Sequence, residues 1–159
     1  MKVTRREFFS KAAKGGAALI AAPALLTSFL ESCGSSSTGP QSGTPNISTV
    51  QGSEANGILT INIDSGSPLA KAGTAAMASS SVGILLIDHP TDNTFNVLSS
   101  VCTHQSCQIN NFDSGSSQFI CNCHGSHFDV NGQVTQGPAR SPLAKYTSQF
   151  SNSKLTIQL

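Results

Sequence analysis

Several residue types are scarce in this chain of 159 residues: tryptophan is absent, tyrosine occurs once, and charged residues make up only 11%. So few charges are unlike a cytosolic bundle of helices, whose exposed faces are rich in Lys, Arg, Asp and Glu. The surface therefore relies on Ser, Thr, Asn, Gln and Gly for its polarity. The length and a hydrophobic share of 38% fit one domain with a modest core and some appended sequence, not two packed domains.

Positive charge is scarce beyond the N-terminus. Five of the nine basic residues lie in the first fourteen positions, and from residue 33 onward four basic residues face six acidic ones, a net charge of −2. Nucleic acids bind proteins through clustered Lys and Arg side chains that displace counterions from the phosphates. With no such cluster in the main part of the chain, nucleic acid is excluded as a partner.

A long apolar run is also missing. Residues 15–30 are sixteen uncharged residues interrupted by Pro23, whereas a spanning helix needs about 20. This length is typical of the core of an export signal. Arg5 and Arg6, followed by large apolar residues and Lys11, resemble the twin-arginine export motif. An amphipathic surface helix is the alternative, and it would leave the apolar side chains of this segment without a partner.

The four residues that end at Cys33 resemble a bacterial lipobox, in which the cysteine is lipidated after cleavage. Glu31 departs from that pattern because a small residue is usual there. A Gly/Ser/Pro-rich tract suited to a tether follows. Retention of the uncleaved segment as an anchor, and simple secretion, remain alternatives. We expect a membrane-tethered protein on the periplasmic side, with three parts: a signal segment (1–32), a tether (33–56) and a folded domain (57–159).

The folded part alternates apolar and polar residues with a period of two, as at Leu59, Ile61 and Ile63. Residues 82–87 are nearly continuously apolar, which indicates a buried strand. A turn is predicted directly after it, and His89 in that turn is expected to be a solvated loop residue. No stretch has a persuasive helical period, although residues 69–77 are Ala-rich and ambiguous. The sequence therefore predicts an all-β fold, a small sandwich or barrel. Further strands are expected over 94–98, 117–121, 128–130, 133–135, 146–150 and 155–159, with an Asn131-Gly132 hairpin turn.

Four of the five cysteines and three of the four histidines lie between residues 102 and 127. They form two groups: Cys102, His104 and Cys107, then Cys121, Cys123, His124 and His127, with sixteen residues between His104 and Cys121. This pattern, C-x-H followed by C-x-x-H, is similar to the ligand motif of the Rieske iron-sulfur family. The resemblance covers roughly residues 57–159.

The resemblance implies an antiparallel β sandwich or barrel with a small inserted cluster-binding subdomain, at about residues 100–140. It implies a [2Fe-2S] cluster with Cys102 and Cys121 on one iron and His104 and His124 on the other. Two thiolates and two neutral imidazoles leave the oxidised cluster uncharged, which explains potentials of roughly −150 to +300 mV, against about −400 mV for all-Cys plant-type clusters.

The second cysteine of each group, Cys107 and Cys123, matches the disulfide pair of the respiratory Rieske proteins. Such a bond fits an oxidising compartment and so agrees with the export signal. A structural zinc site, two plain disulfides with incidental histidines, and a cytosolic oxygenase ferredoxin are the alternatives. The zinc site suffers from the close spacing of Cys121 and Cys123, and the ferredoxin lacks both the signal and the disulfide. His127 is expected to be a surface neighbour rather than a ligand.

Four further residues take their roles from the resemblance. Ser126 matches the serine whose hydroxyl donates a hydrogen bond to a bridging sulfide and favours the reduced cluster. Phe128 stands where a tyrosine often donates to a ligand thiolate, so we expect a potential in the middle of the range. Gly137 and Pro138 resemble the proline loop that covers one side of the cluster, although Arg140 departs from the proline that often follows.

The leading interpretation is the iron-sulfur subunit of a quinol-oxidising complex of the cytochrome bc type, with quinol and a cytochrome as partners and proton transfer at a cluster histidine. Gln105, Ser106 and Asn122 depart from the apolar residue, glycine and proline usual in quinol-docking members. The alternatives are a tethered subunit of another periplasmic redox enzyme, resembling the small subunit of arsenite oxidase, a free-standing carrier, and a redox-inert binding module. Any enzymatic activity belongs to the complex, because this chain alone relays electrons.

Overall fold

The fold is seen in a computed structural model that describes residues 46–159. Arg5, Arg6, Cys33 and most of the predicted tether lie outside the described residues. Within residues 46–159 there is no helix, and so none that is long and apolar enough to span a membrane. In this part of the chain, thirteen strands form three sheets, which confirms the prediction of an all-β fold. The Ala-rich stretch of residues 69–77, which the sequence left ambiguous, contributes to strand β4 (Thr74–Ser80).

Sheet 1 is the central layer of the domain. Its strand order is β1-β4-β5-β6-β11, and every neighbouring pair is antiparallel except β1 and β4. Leu85 and Ile87 pack into one apolar core and Leu86 into another, so both faces of the sheet are buried. This explains the continuous apolar run. The strands are β1 (Ser48–Val50), β4 (Thr74–Ser80), β5 (Gly83–Thr91), β6 (Thr94–Ser99) and β11 (Lys145–Tyr146).

Sheet 2 closes the first core. Its order is β12-β13-β3-β2, all antiparallel. Leu59 and Ile61 of β3, and Leu155 and Ile157 of β13, point into the core, while their polar neighbours face outward. The predicted alternation is therefore confirmed. The strands are β2 (Gly52–Ala55), β3 (Ile58–Asn62), β12 (Ser148–Ser151) and β13 (Lys154–Gln158).

Sheet 3 belongs to a small subdomain inserted between β6 and β11, which are themselves neighbours in sheet 1. Its order is β10-β9-β8-β7. Phe119 and Phe128 are fully buried and form the second core with Leu86 and Leu98 of sheet 1. The inserted subdomain thus rests on one face of the central sheet. The strands are β7 (Asn111–Asp113), β8 (Gln118–Cys121), β9 (Ser126–Asp129) and β10 (Val134–Gln136).

Two parts of the chain differ from the expected boundaries. Residues 48–55, within the expected tether, form β1 and β2. Strand β1 pairs with β4, which is distant in sequence, β2 forms a hairpin with β3, and Ile47 and Val50 bury their side chains. The single strand expected over 146–150 is divided between β11 and β12, which belong to different sheets.

The expectation that His89 is a solvated loop residue is wrong. Strand β5 continues through Pro90, and a register shift between Asp88 and Thr91 accommodates the proline, which lacks an N–H. His89 is 6% exposed, and its ring stacks on Phe95 with centroids 4.3 Å apart. Its Nδ1 lies 2.8 Å from the Leu69 carbonyl oxygen and donates to it, because a carbonyl only accepts.

Candidate metal centre

Three loops of the inserted subdomain form one face of the domain. The first loop, residues 100–110, joins β6 to β7; the second, 122–125, joins β8 to β9; and the third, 137–144, joins β10 to β11. Five of the six predicted ligand and disulfide residues lie in the first two loops. The sixth, Cys121, is the last residue of β8, directly before the second loop. The third is the predicted proline loop, and its Gly137-Pro138 peptide bond is cis.

The first two loops are closed by the same kind of hydrogen bond. The Ser106 N–H donates to the Cys102 carbonyl, and the Gly125 N–H donates to the Cys121 carbonyl, both at 2.9 Å. Ser106 and Gly125 both have positive φ, 57° and 74°. Each loop therefore contains a tight turn that begins at a cysteine.

Two free thiols lie at the base of these turns. Cys102 and Cys121 are both buried, with 1% exposure, and they are the free cysteines of residues 46–159. Burial and the adjacent Cys102 thiol raise the pKa of Cys121 to about 11. Two neighbouring thiols become a strong ligand pair when a metal cation displaces their protons.

Two imidazoles lie together on the same loops. The rings of His104 and His124 meet edge to face with centroids 4.8 Å apart. His104 is half-buried and His124 is exposed. The Nδ1 atom of His104 is buried and has no hydrogen-bond partner among the described residues, a costly arrangement unless a metal takes that place.

Each loop thus supplies one thiol and one imidazole. A set of two cysteines and two histidines fits a [2Fe-2S] cluster of the Rieske type, in which histidines replace two cysteines on one iron. A closed tetrahedral zinc site could use the same atoms.

A disulfide between Cys107 and Cys123 joins the first loop to the second. Its two sulfur atoms and the Cys121 sulfur all lie within 4.8 Å of one another. These three cysteines are not a ligand set, because a metal binds thiolates and two of the three sulfurs are already bonded to each other. The disulfide instead braces the turn that holds Cys121.

The third loop is hydrogen-bonded to the first loop and to the start of β9, and the end of β10 is hydrogen-bonded to the second loop. The Ala139 N–H donates to the buried Ser126 hydroxyl oxygen at 2.9 Å. The Gln136 side chain, just before the loop, donates to the Gly125 carbonyl at 2.9 Å, and the Thr103 hydroxyl donates to the Ser141 carbonyl at 2.6 Å. These bonds fix the three loops relative to one another. Thr103 and Ser141 were missed from sequence because 38 residues separate them.

The remaining predicted residues have distinct places. Phe128 is fully buried and belongs to the same apolar cluster as Cys102 and Cys121. His127 is half-buried on β9, with Nδ1 3.1 Å from the Gln118 side-chain oxygen. Because it precedes Phe128 on a strand, it lies on the opposite face. The structure therefore does not bring His127 to the paired thiols and imidazoles.

Comparison with known proteins gives one consistent result. The family model of the Rieske [2Fe-2S] domain matches residues 65–147. The cytochrome b6-f complex iron-sulfur subunit of Prochlorococcus marinus is 51% identical over 47 residues, 30% of this chain and 26% of that protein. The subunit of the same name from Gloeobacter violaceus is 40% identical over 60 residues, 38% of this chain and 32% of that protein. The chain thus matches about a quarter to a third of the length of these curated relatives.

Solved structures share the fold. The cyanobacterial plasma membrane Rieske protein of Synechocystis PCC 6803 is 26% identical, with a TM-score of 0.50 over 54% of this chain and 86% of that chain. The ferredoxin of carbazole 1,9a-dioxygenase from Nocardioides aromaticivorans is 18% identical, with a TM-score of 0.50 over 62% of this chain and 95% of that one, which shows the fold alone. The cofactor is a Rieske-type [2Fe-2S] cluster, and the function is electron transfer. Since the family model covers more than half of its length, the chain belongs to the Rieske [2Fe-2S] domain family.

Proposed function

We propose that this chain is the exported, membrane-tethered iron-sulfur subunit of a quinol-oxidising complex of the cytochrome bc type. The observation that carries the proposal is the pairing of two buried thiols with two adjacent imidazoles on two disulfide-linked loops. Its relatives are named as subunits of the cytochrome b6-f complex, which supports the assignment to a membrane complex. Arg5 and Arg6 would direct export and Cys33 would carry the lipid.

In this proposal Cys102 and Cys121 would hold one iron of the cluster, and His104 and His124 would hold the other. The thiols are buried and the imidazoles are more exposed, so the histidines lie between the cluster and solvent. The cluster supplies one-electron chemistry when bound. Because Nδ1 of His104 is buried and without a partner, we assign it to iron, which leaves Nε2 of the same ring for proton exchange.

Quinol oxidation requires the removal of a proton together with each electron. An imidazole whose outer nitrogen accepts a hydrogen bond from the quinol hydroxyl can take that proton. Added negative charge beside the ring raises its proton affinity, so electron and proton uptake support each other. His104 and His124 are the two groups on this face that can act in this way.

A pH-dependent redox titration of the full-length holoprotein tests this function. We expect the electron paramagnetic resonance signal of a histidine-ligated cluster. We also expect a midpoint potential that falls by up to about 59 mV per pH unit for each coupled proton, above the pKa of the oxidised-state histidine. A potential independent of pH from neutral to strongly alkaline solution would contradict the proton coupling.

A second function is favoured by the exposed polar residues of the first loop. Gln105 and Ser106 are both exposed beside the histidines and give quinol no apolar surface. They suit a tethered subunit of another periplasmic redox enzyme, or a carrier between soluble proteins. Purification of the tagged full-length chain from detergent-extracted membranes separates the two functions: co-purifying haem proteins support the quinol-oxidising complex, and a large molybdenum protein supports the second function.

A further inference from the structure

A groove of about 360 Å³ lies beside the predicted iron ligand His104. It is lined by Thr103 and His104 of the first loop and by Pro138, Arg140 and Ser141 of the third. The hydrogen bond from the Thr103 hydroxyl to the Ser141 carbonyl, 2.6 Å, joins its two sides. The groove is therefore a fixed feature at the outer edge of the metal centre.

Arg140 gives this groove its charge. The three loops, residues 100–110, 122–125 and 137–144, contain no Asp, Glu or Lys, and Arg140 is their single arginine. Its side chain is exposed. A guanidinium presents paired N–H donors that match the two oxygens of a carboxylate.

The rest of the domain has the opposite charge. Beyond the three loops, residues 46–159 contain three lysines and six carboxylates, a net charge of −3. Asp113 and Asp129 both flank Gln118, which begins β8, whereas Cys121 ends that strand at the metal centre. The carboxylates of the inserted subdomain thus lie at the far end of sheet 3. The loop face is the positive end of a domain that is otherwise negative.

We propose that Arg140 receives a carboxylate of the redox partner protein in this groove, and so selects a partner with an acidic docking surface. A partner carboxylate on Arg140 would also touch His104, the residue through which the electron leaves. Complementary charge at such a contact speeds the encounter and orients it, even where it adds little affinity. The proposal rests on the proposed function only in requiring the cluster at this site, since it concerns the electron acceptor and not the quinol.

A protein partner fits the groove better than a small anionic substrate. The groove is open and its residues are exposed, apart from half-buried His104. The cluster ligands are complete without any further group, so a substrate would gain no metal contact. A one-electron carrier instead reacts through brief contact between two protein surfaces, for which a single well-placed ion pair is enough to set orientation.

The test compares Arg140→Gln, Arg140→Lys and the wild type as full-length holoproteins. Lys154→Gln is the matched control, because it removes one exposed positive charge from β13 of sheet 2. Stopped-flow absorbance follows oxidation of the reduced cluster by an acidic c-type cytochrome, by a basic one, and by hexacyanoferrate(III) as a small anion. Each reaction is run at about 10 mM and about 500 mM ionic strength, where screening is weak and strong respectively.

We expect Arg140→Gln to lower the second-order rate constant with the acidic cytochrome about threefold to tenfold at low ionic strength. Arg140→Lys should recover part of the rate, Lys154→Gln should change it less than about twofold, and high salt should remove the difference. Equal effects on the acidic and basic cytochromes, an effect confined to hexacyanoferrate(III), or equal effects of the Arg140→Gln and Lys154→Gln substitutions would overturn the inference.

The spectrum and midpoint potential of each variant are measured first, so that rates are compared at known driving force. Absence of the Rieske paramagnetic signal in the wild type would contradict the proposed function itself. A normal Rieske paramagnetic signal, together with oxidation rates that do not change when Arg140 is substituted, would contradict only the docking role. The two failures are therefore distinguishable.

Discussion

Two buried side chains of β9 differ in what they offer the predicted cluster. Ser126 and Phe128 are two residues apart on a strand and so face the same way, toward the apolar cluster that includes Cys102 and Cys121. The Ser126 oxygen accepts a bond from the Ala139 N–H, which leaves its hydroxyl hydrogen available to donate. Phe128 offers no donor. Two hydrogen bonds raise the reduction potential of the cluster in this family. We therefore expect this cluster to receive the one from the Ser126 hydroxyl, but not the one that a tyrosine in place of Phe128 would donate.

Phe128→Tyr should raise the midpoint potential. A hydroxyl that donates to a ligand thiolate stabilises the reduced, more negative cluster by roughly 1–1.5 kcal/mol, or about 40–60 mV for one electron. Ser126→Ala should lower the potential by a similar amount. Protein-film voltammetry measures both, with thermal unfolding as the control for packing. A folded Phe128→Tyr protein with an unchanged potential would count against this role, as would a wild-type potential at the upper extreme of the Rieske range.

The buried carboxyl group of Asp88 makes the stability of the domain depend on pH. Burial raises its pKa to about 6, although a hydrogen bond from the Asn96 side chain and the nearby His89 act in the opposite direction. Since the unfolded pKa is about 3.9, the folded state holds this proton more tightly. The stability contribution of Asp88 is therefore fully present below about pH 4 and is lost as the pH rises to about 6.

Asp88→Asn removes this pH dependence and keeps an oxygen for Asn96. The variant should match the wild type near pH 4 and be more stable above pH 6, by an amount on the order of 1–2 kcal/mol. Urea unfolding at pH 4, 5, 6 and 8 measures the difference. A stability gain that does not change over this range would show that the Asp88 carboxyl is not the titrating group.

At the residue scale, spacing alone identifies the candidate cluster ligands. Cys102, His104, Cys121 and His124 stand in a motif whose pattern is visible without any fold, and the structure brings them together. His89 could not be placed in this way. Its burial depends on a strand that continues past a proline and on stacking against Phe95, both of which are tertiary effects.

At the scale of elements, a disulfide bond connects the two turns of the metal centre. The Cys107–Cys123 disulfide joins residues 16 apart in sequence and links the first loop to the second. A crosslink across a loop of about this length stabilises a fold by about 3 kcal/mol. Each loop supplies one cysteine and one histidine to the metal centre. Loss of the disulfide is therefore expected to weaken cluster binding as well as the stability of the fold.

Replacement of both Cys107 and Cys123 by Ala should therefore shorten the lifetime of the cluster. We expect faster bleaching of the visible absorbance in urea and a free energy of unfolding lower by about 2–4 kcal/mol. The variant Cys33→Ala is the control, because it removes a cysteine outside the folded domain. If bleaching in the double variant matches the wild type, the disulfide is not what holds the two loops.

Local signals identified the hairpin of β9 and β10 but not the division of β11 from β12. Gly132 has a φ of 83°, and the Asp129 carboxylate accepts hydrogen bonds from the N–H groups of Asn131 and Gln133. These short-range features are legible in sequence. The boundary between β11 and β12 instead follows from their partners, β6 and β13, so the sequence pattern of residues 146–150 resembles a single strand.

At the scale of the whole molecule, we propose that the N-terminal region directs export and anchoring of the domain. We expect Cys33 to be labelled by fatty acid in the cell, and Cys33→Ala to abolish the label. A variant with both Arg5→Lys and Arg6→Lys should accumulate in the cytoplasm without processing, because the paired arginines address the export machinery. Fractionation with metabolic labelling measures both outcomes. A labelled Cys33→Ala protein would show that another residue is modified.

The segment that contains β1 and β2 packs against the rest of the domain. Ile47 and Val50 are each 6% exposed, and β1 and β2 complete the edges of sheets 1 and 2. The Asn46 side chain donates to the Phe112 carbonyl and accepts from the Phe112 N–H, both at 2.8 Å, which ties this segment to sheet 3. Residues 46–55 therefore belong to the folded domain, which begins before residue 57.

A fragment of residues 57–159 should accordingly be less stable than one of residues 46–159. Burial of two aliphatic side chains is worth about 3–6 kcal/mol, a large part of the usual 5–15 kcal/mol of a domain. Deletion of residues 35–43 from the full-length chain is the control, since it shortens only the Gly/Ser-rich tract. Urea unfolding compares the proteins. Equal stability of the two fragments would mean that β1 and β2 add nothing to the core, and the tether would then extend to residue 56.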